Sequence, residues 1–380
     1  MSAVSSSNTA FALELFRTLS QTNPAGNIFV SPLSIGAALA TVYEGAKGDT
    51  AAQITQVSSL MMFSETDSVH ANFQKLNAEI NSPSASYILK LANRLYGENI
   101  DFIDVTHRNY LADPITVDFI GDPEACRAAI NSWVEQQTES ENVHLPQPEQ
   151  QGIILASSIK DLLKPGTVNK DTRLALLYDN MIWSPGFPVC QNETVPVQMM
   201  HQRKKLPYNY IADHDLQILE LPYVGEELSM FILLPKESSD GSGPLLKELT
   251  QERLNEWTDR KNMSTHSEVV LHLPKFKLEE DYELNDPLAK LGMKNVFCAG
   301  SADLSGMNGE PGLFLSTMAH KAFVEVNEEG TEATAATGAV IKLESFIPDT
   351  HFTADHPFLF FIRYNETKSI LFFGRFSSPE

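Results

Sequence analysis

The segment HPFLFFIRYNETKSILFFGRF, residues 356–376, constrains the fold more than any other part of the chain. Two strongly apolar runs flank the turn-prone Asn365-Glu366-Thr367, and this pattern predicts a β-hairpin. Apolar runs without alternation suit strands inside a covered sheet better than strands with one wet face. The remaining chain alternates helical and extended patterns. From Ser7, Phe11, Leu13, Leu15 and Phe16 form an apolar stripe behind a Ser/Asn/Thr start, and Pro24 and Gly26 end it. A short β-prone run, Ile28–Val30, meets Ser31-Pro32 and then a helix of small residues ending at Gly45, a composition suited to close packing inside a protein. Strands are expected at Tyr87–Tyr96 and Val269–Leu273, and helices at Asp122–Thr138, carrying Trp133, and at Leu284–Leu291. Leu216–Leu234 reads as a second hairpin turning at Tyr223-Val224-Gly225. There is no βαβ rhythm and no internal repeat, so the fold class is α+β, with sheets too intermingled along the chain to divide into domains.

The chain has 380 residues, 42% hydrophobic and 20% charged, enough to bury a substantial core. With 49 acidic residues against 28 basic ones, the net charge of −21 argues against binding nucleic acid or an anionic membrane through a general basic surface. The cluster Arg203-Lys204-Lys205, beside a β-prone segment, reads as a solvated face. Cys126, Cys190 and Cys298 show no CxxC or Cys/His ligand spacing, so neither a disulfide framework nor a metal site is expected. The start MSAVSSSNTAFALELF has no basic region ahead of an apolar run, and no stretch approaches the ~18 apolar residues of a membrane span. These features point to a reduced, cytoplasmic setting, with release from the cell without a leader as the other route. The sequons at Asn192, Asn262 and Asn365 then read as chance matches. No GxSxG elbow, HExxH, P-loop or GxGxxG fingerprint is present and the ten histidines are scattered, so no enzyme and no cofactor are expected.

Two stretches break the well-packed texture. Residues 141–158, ENVHLPQPEQQGIILASS, are polar with two prolines and read as an exposed loop. Residues 328–348, EEGTEATAATGAVIKLESFIP, lie between an apolar strand and the C-terminal hairpin. At period two, Thr331, Ala333, Ala335, Thr337, Ala339 and Ile341 share a face with no charge and nothing large before Ile341. Such a face can enter a buried sheet without steric conflict, while Glu332 points to solvent. Ala and Gly give little reason for the segment to be ordered alone. It therefore suits either a flexible Ala/Thr linker or a strand that forms only when a sheet opens for it.

EVNEEGTEATAATGAV resembles the hinge and proximal reactive-centre loop of inhibitory serpins, and FTADHPFLFFI resembles that family's C-terminal signature. NIFVSPLSIGAALA, ADLSGM, PKFKLEEDYEL and ILELPYVGEELSMFILLP are also serpin-like, in the family's order, from Asn8 to Pro379. The chain is thus similar to the ovalbumin-type, clade B intracellular serpins. The resemblance implies one domain over residues 1–380, three β-sheets, about eight or nine helices and an exposed reactive-centre loop at about 328–352. It implies a monomeric serine protease inhibitor acting as a suicide substrate, whose partner is a serine or cysteine protease held as a covalent acyl complex, with no cofactor, nucleic acid or membrane. Position by position, Glu328, Glu329, Gly330 and Thr331 match the hinge, and Ala333, Thr334, Ala335 and Ala336 the small-residue run. Ser31, Pro32, Ser34 and His320 match the shutter beneath the sheet opening. Counting from both ends of the loop gives one scissile bond, Glu344-Ser345, with Leu343 and then Phe346 next in line.

Three regions depart from the family pattern. Residues 99–119 are short, residues 141–158 form an atypical insertion, and residues 174–192 replace the expected strand of the central sheet, with Tyr178 where the shutter asparagine belongs and Trp183 not assigned to the breach tryptophan. Either a diverged serpin with impaired insertion or a misassembled sequence in this region accounts for them. The alternative function is a non-inhibitory serpin-fold protein, cleaved as a substrate or acting as a binding protein.

Overall fold

The computed structural model describes residues 3–57, 89–98, 115–119, 121–138, 153–161, 186–190, 193–223, 225–236, 243–326 and 350–379. A six-stranded sheet has the spatial order β1 (Ile28–Val30), β16 (Ser369–Phe376), β15 (Phe358–Tyr364), β10 (Leu228–Pro235), β9 (Leu216–Pro222) and β8 (Tyr208–Ile211). The two predicted hairpins, β9–β10 and β15–β16, lie side by side in its middle. Their residues alternate between two hydrophobic clusters. Met230, Ile232, Phe358, Phe360, Ile362 and Phe372 belong to one, while Phe231, Leu233, Leu359, Phe361 and Phe373 belong to the other. Both faces of the hairpins are therefore dry, which is why the runs lack polar alternation. Each such side chain contributes about 1.5–3 kcal/mol when fully buried.

Aromatic stacking sets the finer geometry. Phe29 stacks on Phe360 and Phe372 with centroids 5.7 and 5.2 Å apart. Gly374, directly opposite both Phe29 and Phe360, leaves the space for these rings, since a Cβ there would lie 2.6 Å from Phe360 Cζ. The C-terminal strand is clamped to the chain's first turn. The Arg375 guanidinium donates to the carbonyls of Gly26 and Asn23, and Asn27 Oδ1 accepts the Ser377 and Ser378 N–H groups.

A five-stranded sheet follows the order β12 (Phe276–Glu283), β13 (Leu315–Val326), β4 (Ile153–Asp161), β2 (Leu89–Glu98) and β3 (Ile115–Val117). A three-stranded sheet is ordered β14 (Thr350–Thr353), β11 (Glu268–Pro274) and β7 (Met199–Lys205), and β5 (Gly186–Cys190) pairs with β6 (Glu193–Pro196) in a ribbon. Among the described residues the three expected sheets are thus joined by a fourth, small one. Among the described residues there are eight α-helices: α1 (Ala3–Thr22), α2 (Pro32–Gly45), α3 (Gly48–Val57), α4 (Pro123–Thr138), α5 (Gly243–Glu248), α6 (Gln251–Trp257), α7 (Asn285–Leu291) and α8 (Ser305–Asn308).

α2 shows why its sequence is poor in large residues. Ser31 caps it, Pro32 starts it, and nearly all its residues are buried. Its last residue, Gly45, meets α8 so closely that a Cβ on Gly306 would fall 2.8 Å from the Gly45 carbonyl oxygen. The Arg203-Lys204-Lys205 cluster is exposed at the end of β7, as expected of a solvated face, and Arg203 pairs with Glu268 at 2.9 Å.

One expectation is overturned. Residues 153–158, read from their polar, proline-containing neighbourhood as part of an exposed loop, form most of β4 in the five-stranded sheet. β4 pairs with β13 on one side and β2 on the other. The strand beside β13 is accordingly supplied by Ile153–Asp161. Ile-Ile-Leu is a run with strand propensity, and pairing on both edges outweighs the character of the chain before it. Tyr178, Trp183 and residues 99–114 lie outside the described residues.

Candidate functional site

The site is built around the strand that leads into the 328–348 segment. β13 ends at Val326, and the chain is described again at Thr350, where β14 begins. β13 and β4 run parallel, with register partners from Leu315↔Ile153 to Phe323↔Lys160 and an irregularity between Leu315 and Thr317. A strand turning back from the end of β13 into this seam would be antiparallel to both neighbours. The seam can thus exchange one parallel ladder for two antiparallel ones.

Beneath the seam, Ser31, Pro32, Ser34 and His320 come together, all of them buried. The Ser31 N–H donates to His320 Nε2 at 3.1 Å, so the neutral ring carries its proton on Nδ1. Ser31 Oγ donates to the Leu371 carbonyl at 2.8 Å and accepts the Ser34 N–H at 3.2 Å. One hydroxyl thereby links the start of α2 to β16, and one imidazole links the same residue to β13. Pro32 has no N–H to satisfy at the first helical position.

A fifth residue belongs to this group and escapes sequence reasoning. Tyr282 lies directly opposite His320 in the β12–β13 ladder, and its hydroxyl accepts the Phe29 N–H at 3.1 Å. β1 is an edge strand, and the N–H groups of Phe29 and Ser31, two residues apart, are met by this cross-strand Tyr–His pair. Burial pushes the Tyr282 phenol far up, keeping it neutral. In sequence Tyr282 is an ordinary strand residue. Only the pairing register reveals its role.

The opposite face of the sheet carries α4. Ala319 of β13 packs against a cluster of Tyr96, Phe119, Cys126 and Ile130, with Trp133 beside it. The Arg94 guanidinium sits 4.6 Å from the Trp133 ring centroid. Lys321, also in β13, is 2% exposed and its ammonium lies 2.7 Å from Glu279 on β12. Burial raises the Glu279 carboxyl, but the bonds to and charges of Lys321 and Lys277 together more than offset it and hold the group below its ordinary value.

The far end of the loop is anchored by β14, whose four residues pair in parallel with β11, from Val269↔Thr350 to His272↔Thr353. The Ala354 N–H extends this by donating to the His272 carbonyl at 2.9 Å. Glu328, Glu329, Gly330, Thr331, Ala333, Thr334, Ala335, Ala336, Glu344 and Ser345 lie outside the described residues. Among the described residues no cluster of three metal-ligating groups exists and no helix is long and apolar enough to cross a membrane.

Comparison with known proteins bears on this arrangement. The sequence matches the family described as Serpin (serine protease inhibitor) over residues 6–379. It is 47% identical to leukocyte elastase inhibitor of Homo sapiens and 46% identical to that of Equus caballus, in both cases over 100% of each chain. Among solved structures, uncleaved ovalbumin superposes with a TM-score of 0.84 at 31% identity, over 99% of this chain and 100% of that one.

Proposed function

The chain belongs to the serpin family of serine protease inhibitors and is not an enzyme, and on that premise we propose that it inhibits its target as a suicide substrate cut at Glu344-Ser345. The protease's serine attacks the Glu344 carbonyl carbon, the bond to the Ser345 nitrogen breaks, and the proton taken by the protease's histidine passes to the departing amine. The loop end, now esterified to the protease, is free to enter the β13–β4 seam behind the Glu328–Thr331 hinge. Insertion drags the protease along and distorts its active site before water can release it.

The observation that carries this reading is the parallel seam beside the strand that leads into the hinge. Inserting a strand there adds one ladder, worth on the order of 5–15 kcal/mol at ~0.5–1.5 kcal/mol per net hydrogen bond over about ten bonds. The uncharged face from Thr331 to Ala339 meets no steric barrier at the covered side of the sheet.

An acidic residue before the cut suits a protease with a basic specificity pocket. The net charge of −21 favours encounter with a cationic protease through long-range steering. A second reading is favoured by the relatives named as elastase inhibitors. An elastase-type pocket is small and apolar and would take Leu343 instead. Mixing the protein with a protease panel and running denaturing gels tests the mechanism. A complex stable to SDS is expected, and only clipped product from every protease would make this a non-inhibitory member of the fold. Mass spectrometry of the released C-terminal peptide separates the two bonds: a start at Ser345 supports the first, and a start at Glu344 the second.

A further inference from the structure

The three-stranded sheet that anchors the loop's far end carries a histidine group on its outer face that the inhibitory mechanism does not use. His201 of β7 and His272 of β11 are directly opposed in the ladder, with His201 Nδ1 and His272 Nε2 3.0 Å apart and ring centroids at 4.7 Å. One nitrogen must donate and the other accept, so the contact needs a proton on one and a lone pair on the other. We propose that this His201–His272 pair is a pH-operated clasp that holds β14 in its sheet when neutral or singly protonated and loosens it when both rings are protonated.

The surroundings make the second proton costly. Arg203 and Lys205 of β7 carry positive charge on this face and His351 of β14 adds to it when protonated, against Glu268 of β11, which Arg203 already pairs, and Asp355, which accepts from or pairs with His356 Nδ1 at 2.8 Å. Burial, reinforced by the field of His201 and His351 and opposed by Asp355, holds the His272 imidazole below its ordinary value. The first proton leaves the bond intact and a second sets two N–H groups against each other at 3.0 Å.

β14 is the element most exposed to the consequence. Among the described residues it is a four-residue strand whose ladder runs to β11, with Gln217 Nε2 also donating to the His351 carbonyl at 3.2 Å and Phe352 buried in the core, and His272 is both its last register partner and the acceptor of the Ala354 N–H. When the His272 ring is forced away from β7, the backbone that carries these bonds moves with it. The sign follows from linkage: the state with β14 released binds more protons, so release grows as pH falls below the ordinary histidine value of about 6.5. The inference concerns the anchor strand alone and does not depend on inhibition.

Hydrogen–deuterium exchange of the full-length protein, corrected for intrinsic rates, tests it across pH 7 to pH 5, with β9 as an internal control. Exchange of the amides at 350–354 should rise about ten-fold relative to β9, the equivalent of ~1.4 kcal/mol of lost protection. His201→Gln and His272→Gln, which cannot acquire charge, should each reduce that rise to under about two-fold. Unchanged protection of 350–354 in the unmodified protein would overturn the proposal, as would an equal rise in both variants. Should a variant fail to fold, NMR titration of the unmodified protein decides: two separated steps for His201 and His272 support the clasp, and independent single steps at the ordinary value refute it.

Discussion

Replacing Ser31 with Ala should destabilise the protein far more than the loss of one oxygen suggests. The hydroxyl makes two contacts in a fully buried position: it accepts the Ser34 N–H and donates to the Leu371 carbonyl. Losing the helix cap costs about 1 kcal/mol, within a range of about 0.5–2. Leaving the Leu371 carbonyl without this donor costs roughly 1–3 kcal/mol more. The Ser31 N–H bond to His320 belongs to the backbone and survives the substitution. The total is about 2–4 kcal/mol. Unfolding entropy near 60 °C is about 2.1 cal/mol/K per residue, or ~0.8 kcal/mol/K for this chain, so the thermal midpoint should fall by about 3–5 °C. Circular dichroism melts at pH 7.5, at one scan rate for both proteins, measure it. A shift under about 1 °C would refute the reasoning, because it would mean that another group replaces the hydroxyl at both partners.

Other consequences are equally direct. Gly374→Ala puts a methyl 2.6 Å from Phe360 Cζ and 3.0 Å from Phe29 Cδ2, and should cost about 1–3 kcal/mol in urea titrations through overpacking. Thr331→Arg places a long charge on the face that must enter the sheet, so protease should yield cleaved product in place of covalent complex; undiminished complex would contradict insertion at this register. Because the folded Glu279 carboxyl titrates below its ordinary value, its contribution is present above that value and fades as pH falls through the folded one. Glu279→Gln should therefore flatten the acid limb of stability between about pH 5 and pH 3, as read by denaturant midpoints.

How far the sequence foretells the molecule depends on whether the governing contact is local. The hairpins β9–β10 and β15–β16 are legible because each joins adjacent apolar runs through a turn, and α2 because its cap, proline and small residues lie within fifteen positions. β4 is not legible. Its partners are β13, over 150 residues away, and β2, and nothing within 153–161 distinguishes a paired strand from a loop that contains a short apolar run. In the functional site, Ser31, Pro32, Ser34 and His320 are recognisable by resemblance, but the contacts that join them are not. Tyr282 and the His201–His272 pair are invisible for the same reason: each acts through register with a strand distant in sequence, and a one-residue slip would send each to the opposite face.

The central position of β15 in the six-stranded sheet has a consequence for biosynthesis. β10 is complete at Pro235, yet the neighbour that covers its inner edge begins at Phe358, about 120 residues later and roughly 6–25 s further into translation at ~5–20 residues per second. During that interval β10 is paired through β9 on one edge while its other edge stays open, and β1 waits still longer for β16. The nascent chain therefore carries an unpaired apolar edge until its C-terminal hairpin emerges, which makes that interval the natural point for chaperone capture or for pairing with a hairpin from another ribosome's chain.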